Sequence, residues 1–93
     1  MGLIKTKEQA AEFLGISENG ILHFCKYSNG DWKYKDSNNY YHLFRKLGDE
    51  WIELTKGVKA VDVDSYYNGD WGYVTENKYI CIFDKENKLI ENI

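Results

Sequence analysis

One chemically suggestive hexapeptide occurs twice in this chain, as Asn29-Gly30-Asp31-Trp32-Lys33-Tyr34 and as Asn68-Gly69-Asp70-Trp71-Gly72-Tyr73. Each copy sets a carboxylate beside an indole, with a phenol two residues further on. That grouping suits recognition, because large rings with one polar end dominate protein contacts. Trp32, Tyr34, Trp71 and Tyr73, with Asp31 and Asp70, are therefore the candidate interaction surface, for a protein or a sugar. The competing reading is that these rings close the core beside a tight turn. Solvent exposure of Trp32 and Trp71 separates the two.

Other chemistry finds little in the residue types. His23 with Cys25, and His42 with Cys81 at an equivalent place in the second half, are the soft-ligand candidates, whereas a structural zinc wants four ligands at closer spacing. A Cys-His nucleophile needs a base in reach and a third group to orient it. Gly15, Gly20 and Gly30 lack the spacing of a phosphate loop. The expectation is thus no catalytic residue, no cofactor, no metal and no enzymatic activity. Asp62, Asp64, Asp70, Glu76 and Asp84 gather in the second half. They read either as a solvated sheet face or as an acidic, aromatic surface suited to the nucleic-acid-binding groove of a partner enzyme.

The elements that must carry these residues follow from the repeat. Sliding the chain against itself by 39 positions pairs the two hexapeptides and also Tyr27 with Tyr66, Asn38 with Asn77, Tyr40 with Tyr79, Phe44 with Phe83 and Lys46 with Lys85. Ten of the twenty positions from 27 to 46 are then identical, where chance gives roughly one or two, so the spacing marks a duplicated supersecondary unit. Each copy reads as short β-branched or aromatic runs broken by Asn, Gly and Asp, the pattern of strands and tight turns. The first copy predicts strands at 32–35, 40–45 and 51–54, the second at 61–64, 71–74, 79–83 and 89–90. In the alternating Val61-Asp62-Val63-Asp64 the valines should face inward. Tyr40, His42 and Phe44 share one face of their strand and Tyr41 and Leu43 the other, which predicts a central strand covered on both sides. Past Phe83 the match slips by one, so the first copy should have the longer turn at Leu47-Gly48-Asp49.

At the N-terminus, Thr6-Lys7-Glu8-Gln9 is a capping box and Gly15 a left-handed stop, predicting a helix over about 7–14. Residues 21–27 read as strand by the repeat, or as a second helix capped by Ser17. The stretch Glu8-Gln9-Ala10-Ala11-Glu12-Phe13-Leu14-Gly15-Ile16-Ser17 resembles an excisionase-like helix-turn-helix over residues 6–27. That resemblance implies DNA reading by a second helix, through Ser17, Glu18, Asn19, Gly20 and His23, although no Arg stands among them. Asp70-Trp71-Gly72-Tyr73 resembles bacterial Trp-Gly-Tyr β-repeats, with Lys33 in place of the glycine in the first copy. That resemblance implies stacked hairpins and no single activity.

The predicted fold class is α+β, mostly β: a short N-terminal helix, then a duplicated antiparallel β-meander of about four strands per copy, forming a small sheet sandwich or partly closed barrel. A single domain spans 1–93, divided into the helix (1–16), a first β-repeat (17–54) and a second (55–93). Its 93 residues suffice for one core. The net charge of −3 comes from interspersed charges, which gives no general attraction to phosphates. Two cysteines, no secretory run and no long apolar stretch point to the cytoplasm and away from a membrane. Abundant Lys, Asn, Ile and Tyr without Pro suit a low-GC bacterial, archaeal or phage source. The leading expectation is a small non-enzymatic protein-interaction module, an inhibitor or adaptor encoded by a phage or mobile element, with a protein partner. A DNA-binding regulator at 6–27 and a carbohydrate-binding module are the alternatives, so nucleic acid is the less favoured partner.

Overall fold

The computed structural model describes residues 2–92. The helix α1 (Lys7–Leu14) begins where the Thr6 hydroxyl accepts from the Gln9 amide, while the Gln9 side chain accepts from the Lys5 amide rather than that of Thr6. It ends at Gly15, whose φ of 71° lets the Gly15 and Ile16 amides reach back to Glu12 and Ala11. These bonds satisfy carbonyls that would otherwise be orphaned. Beyond it, Glu18–Gly20 forms one 3-10 turn under a Ser17 cap, and His23–Lys26 is a strand. The second helix required by a helix-turn-helix is therefore not formed here.

Eight strands follow: β1 (His23–Lys26), β2 (Trp32–Lys35), β3 (Tyr41–Leu47), β4 (Glu50–Glu53), β5 (Ala60–Ser65), β6 (Trp71–Thr75), β7 (Ile80–Phe83) and β8 (Leu89–Asn92). All pair antiparallel in one sheet, in the order β1-β2-β3-β5-β6-β7-β8, with β4 paired to the far end of β3. The expected α+β, mostly β class is what forms. The sheet does not close into a barrel. β3 is the central strand: β2 takes one edge, and β4 and β5 share the other.

Backbone pairing between β3 and β5 is confined to Tyr41 and Ala60. The sheet folds over at that seam, so that β5–β7 pack on the Leu43 face of β3. Two cores result. In the first, Trp32, Phe44 and Trp51 pack with Ile4, Ala10, Ala11 and Ile21 beneath α1. In the second, Leu43 on the opposite face of β3 meets Ala60, Val63 and Trp71, with Tyr27, Tyr41, Tyr73 and Phe83 around them. The layers run helix, first half, second half.

Two local expectations are corrected. Val61 is exposed, because a bulge between Ala60 and Asp62 turns it out and leaves Ala60 and Val63 as the buried pair. The extra residue of the first half lies in strand rather than turn: β3 runs on to Leu47 and only Gly48 and Asp49 connect it to β4, with Gly48 at φ 64° as a two-residue turn prefers. In the second half, Asp84 accepts from the Glu86 and Lys88 amides and holds a wider loop open.

Candidate functional site

The two Asn-Gly-Asp turns share one backbone solution. Asn29 accepts from the Asp31 amide at 2.9 Å and Asn68 from the Asp70 amide at 3.0 Å, while Gly30 and Gly69 take φ of 96° and 94°. Only glycine occupies that region without strain. Each turn delivers a Trp onto a Phe of the next strand: Trp32 stacks on Phe44 and Trp71 on Phe83, both with centroids 4.4 Å apart. The registers Trp32 with Phe44 and Trp71 with Phe83 lie 39 positions apart, as do Tyr34 with His42 and Tyr73 with Cys81.

Burial decides what these residues can do. Trp32 is 0% and Trp71 4% exposed, so the indoles are core and offer no platform to a protein or a sugar. Asp31 is 2% exposed, whereas Asp70 is partly exposed. Tyr34 and Tyr73 are half-buried beside their indoles. The six residues are thus divided between two cores and two turns and do not form one surface. Asp31 instead anchors a clasp between the halves. The Arg45 guanidinium grips it through Nε and Nη2, at 3.0 and 2.7 Å, and Ser65 donates to it at 2.6 Å. Asn29 reaches across to the Ser65 hydroxyl and the Tyr66 carbonyl. The counterpart of Arg45 at the 39-residue offset is Asp84, and among the described residues no cation grips Asp70 in this way.

His42 forms a second network. Its Nε2 meets Asp36 at 2.7 Å and its Nδ1 meets Glu53 at 2.8 Å, Thr55 donates to Glu53, and Tyr34 stacks on the ring. Burial disfavours the imidazolium, but bonds to Glu53 and Asp36 outweigh it and hold the His42 pKa above its ordinary value. Burial likewise raises Asp36 and Glu53, but His42, helped by the Tyr40 and Asn38 amides at Asp36 and by Thr55 and Lys56 at Glu53, outweighs it and leaves both below the usual carboxylate range. With a carboxylate on each nitrogen, this imidazole is neither a free base nor a ligand. Cys81 bonds Asn92 instead of His42. Among the described residues, no group of three or more His, Cys, Asp or Glu is placed to hold a metal ion.

What remains is the outer face of β5–β7. Asp62, Asp64, Gly72, Val74, Ile80 and Ile82 point away from the second core, with Tyr66 at the rim, and enclose a hollow of about 80 Å³. That is far below the roughly 300–1,000 Å³ of sites for small ligands, and nearer the size of a single side chain. A wider cleft of about 590 Å³ lies between the two turns, but its Asp31 and Arg45 are spent on each other.

No protein-family model, no curated protein and no solved structure matches this chain.

The sequence offered Asp62 and Asp64 as part of an acidic surface, but neither the role of Lys33 nor the apolar hollow at Gly72, Ile80 and Ile82. The signal was present where the two copies differ, Lys33 against Gly72 and Cys25 against Asp64, rather than where they agree.

Proposed function

We propose that this chain is a small non-enzymatic protein-interaction module that docks through the outer face of β5–β7. One observation carries the reading. The face at the same register positions in the first half, bearing Lys33, Tyr41 and Leu43, is covered by the second half, whereas among the described residues no helix or strand packs over Gly72, Ile80 and Ile82. A sheet face with apolar groups at its centre and acids at its margin fits a partner surface better than bulk water. The acidic, aromatic character of this face and the compositional hints of source agree with an inhibitor or adaptor encoded by a phage or mobile element and acting in the cytoplasm. Among the described residues, no helix is long and apolar enough to cross a membrane.

The test is site-specific photo-crosslinking in the cells that encode the protein, with the reactive group at Val74 and, as control, at Glu12 on α1. A discrete heteromeric adduct from position 74 alone, competed by excess wild-type protein but not by Ile82→Asp, is the expected result. Equal labelling from both positions, or none from either, counts against the docking face.

A further inference from the structure

The first half shows what a filled version of this hollow contains. Lys33 is nearly buried between the two halves. Its Nζ donates to the Val63 carbonyl at 2.8 Å and lies 4.8 Å from the centre of the Tyr41 ring and 5.7 Å from that of Tyr27. An ammonium packed against two phenol faces and one carbonyl is held by its own stem and by ring electrostatics. Displaced by 39 positions, these residues become Gly72, Ile80 and Tyr66, which all line the outer hollow. The aromatic wall is kept in Tyr66 and the apolar floor in Ile80 and Ile82. The lysine is gone.

Nothing from this chain's own position 72 can replace it. A Cβ there would stand 2.8 Å from the Cys81 carbonyl oxygen and 3.3 Å from Ile82. The surrounding charge has also changed sign. β1–β3 carry Lys26, Lys33, Lys35, Arg45 and Lys46, whereas β5–β8 carry Asp62, Asp64 and Glu91 and no Lys or Arg. Glu91 pairs with Ile82 and so shares the outer face. Asp62 and Asp64 pair with Val74 and Gly72 and flank the hollow directly.

We infer that the hollow over Gly72 receives a lysine or arginine side chain of the partner protein, its stem on Ile80 and Ile82 and its cation between Tyr66 and the carboxylates of Asp62 and Asp64. This rests on the docking face proposed above and names the chemistry that face selects: a basic side chain projecting from an otherwise apolar surface. The occupant is the intermolecular counterpart of what Lys33 does within the chain.

The experiment is an amide-resolved NMR titration of the whole protein with N-acetyl-lysine methylamide and, in parallel, with its uncharged analogue N-acetyl-norleucine methylamide. The lysine probe should shift the amides of Gly72, Val74 and Ile82 saturably and bind about fivefold more tightly than the norleucine probe. Asp62→Asn with Asp64→Asn should abolish the preference and Tyr66→Leu should weaken it, while Glu12→Gln should leave it intact. Unshifted amides elsewhere report that each variant is folded. Equal binding of the two probes overturns the cation pocket but keeps the outer face as an apolar docking site. Shifts centred on the cleft between the turns, or silence from both probes, also overturn the pocket, and the crosslink from position 74 then decides the docking face independently.

Discussion

The Asn29-Gly30-Asp31 and Asn68-Gly69-Asp70 turns share their backbone bonds, their glycine torsions and the ring stack they deliver, yet one aspartate is sealed in a clasp and the other faces water. The difference comes from residues outside the motif. Arg45 and Ser65 converge on Asp31, while Asp84 stands where Arg45 would be needed for Asp70. The same holds for the rings. Trp32 has α1 over it with Phe13 edge-on at 6.0 Å, whereas Trp71 lies beside an open notch and bonds Asn87 at 2.9 Å. A motif sets local geometry, and its layer in the stack sets what that geometry is used for.

The largest way to break the comparison is to truncate the indoles. Trp32→Ala removes a fully buried ring central to the first core and should cost about 3–5 kcal/mol, the usual range for such truncations. Trp71→Ala should cost less, because its neighbourhood is already partly open. Urea denaturation of the two variants measures the gap, and equal losses would show that the layers stabilise the rings alike. Next comes the acid pair. Asp31→Asn strands the Arg45 charge and should cost on the order of 3 kcal/mol. Asp70→Asn should stay within about 0.5 kcal/mol, as for an ordinary surface change.

The smallest effect sharpens the contrast by pH. Only the first half has the His42 clamp, since the second half has Cys81 at that position. A raised His42 pKa gives stability that is complete below about pH 6.5 and fades as pH climbs through the folded value. Depressed Asp36 and Glu53 values give stability that is complete above about pH 4.5 and fades as pH falls through theirs. The clamp is therefore strongest between about pH 4.5 and 6.5. His42→Gln should lower stability inside that window by under about 1 kcal/mol, as for a pair partly screened by water, and should remove the wild-type decline as pH rises above about 6.5. An unchanged profile would remove the clamp from the account.

Local signals were legible in the sequence and layer assignments were not. The caps of α1 are short-range bonds between side chain and backbone, so Thr6, Gln9 and Gly15 announce the helix directly. Strand positions followed from alternation, and the two faces of β3 from Tyr41 and Leu43 against Phe44. The burial of Trp32 and Trp71 depended on which layer covers each face, which no window of sequence contains. The Ala60 bulge likewise depends on how β5 must bend to pair with both β3 and β6, and it turned Val61 outward against its alternation. The candidate site escaped because the repeat was read for its identities. The hollow is defined by a difference, a glycine where the other copy has a lysine.

The seam at Tyr41 and Ala60 has a mechanical consequence. A pull applied between α1 and β8 meets only one ladder pair between the halves, backed by the second core, the Asp31 clasp, the Lys33 ammonium and the Tyr27 hydroxyl. Under such a load the halves should part before their own strand ladders do, so the chain behaves as a hinged two-leaf spring whose stiffness at the hinge resides in side-chain packing and bonds rather than in backbone pairing.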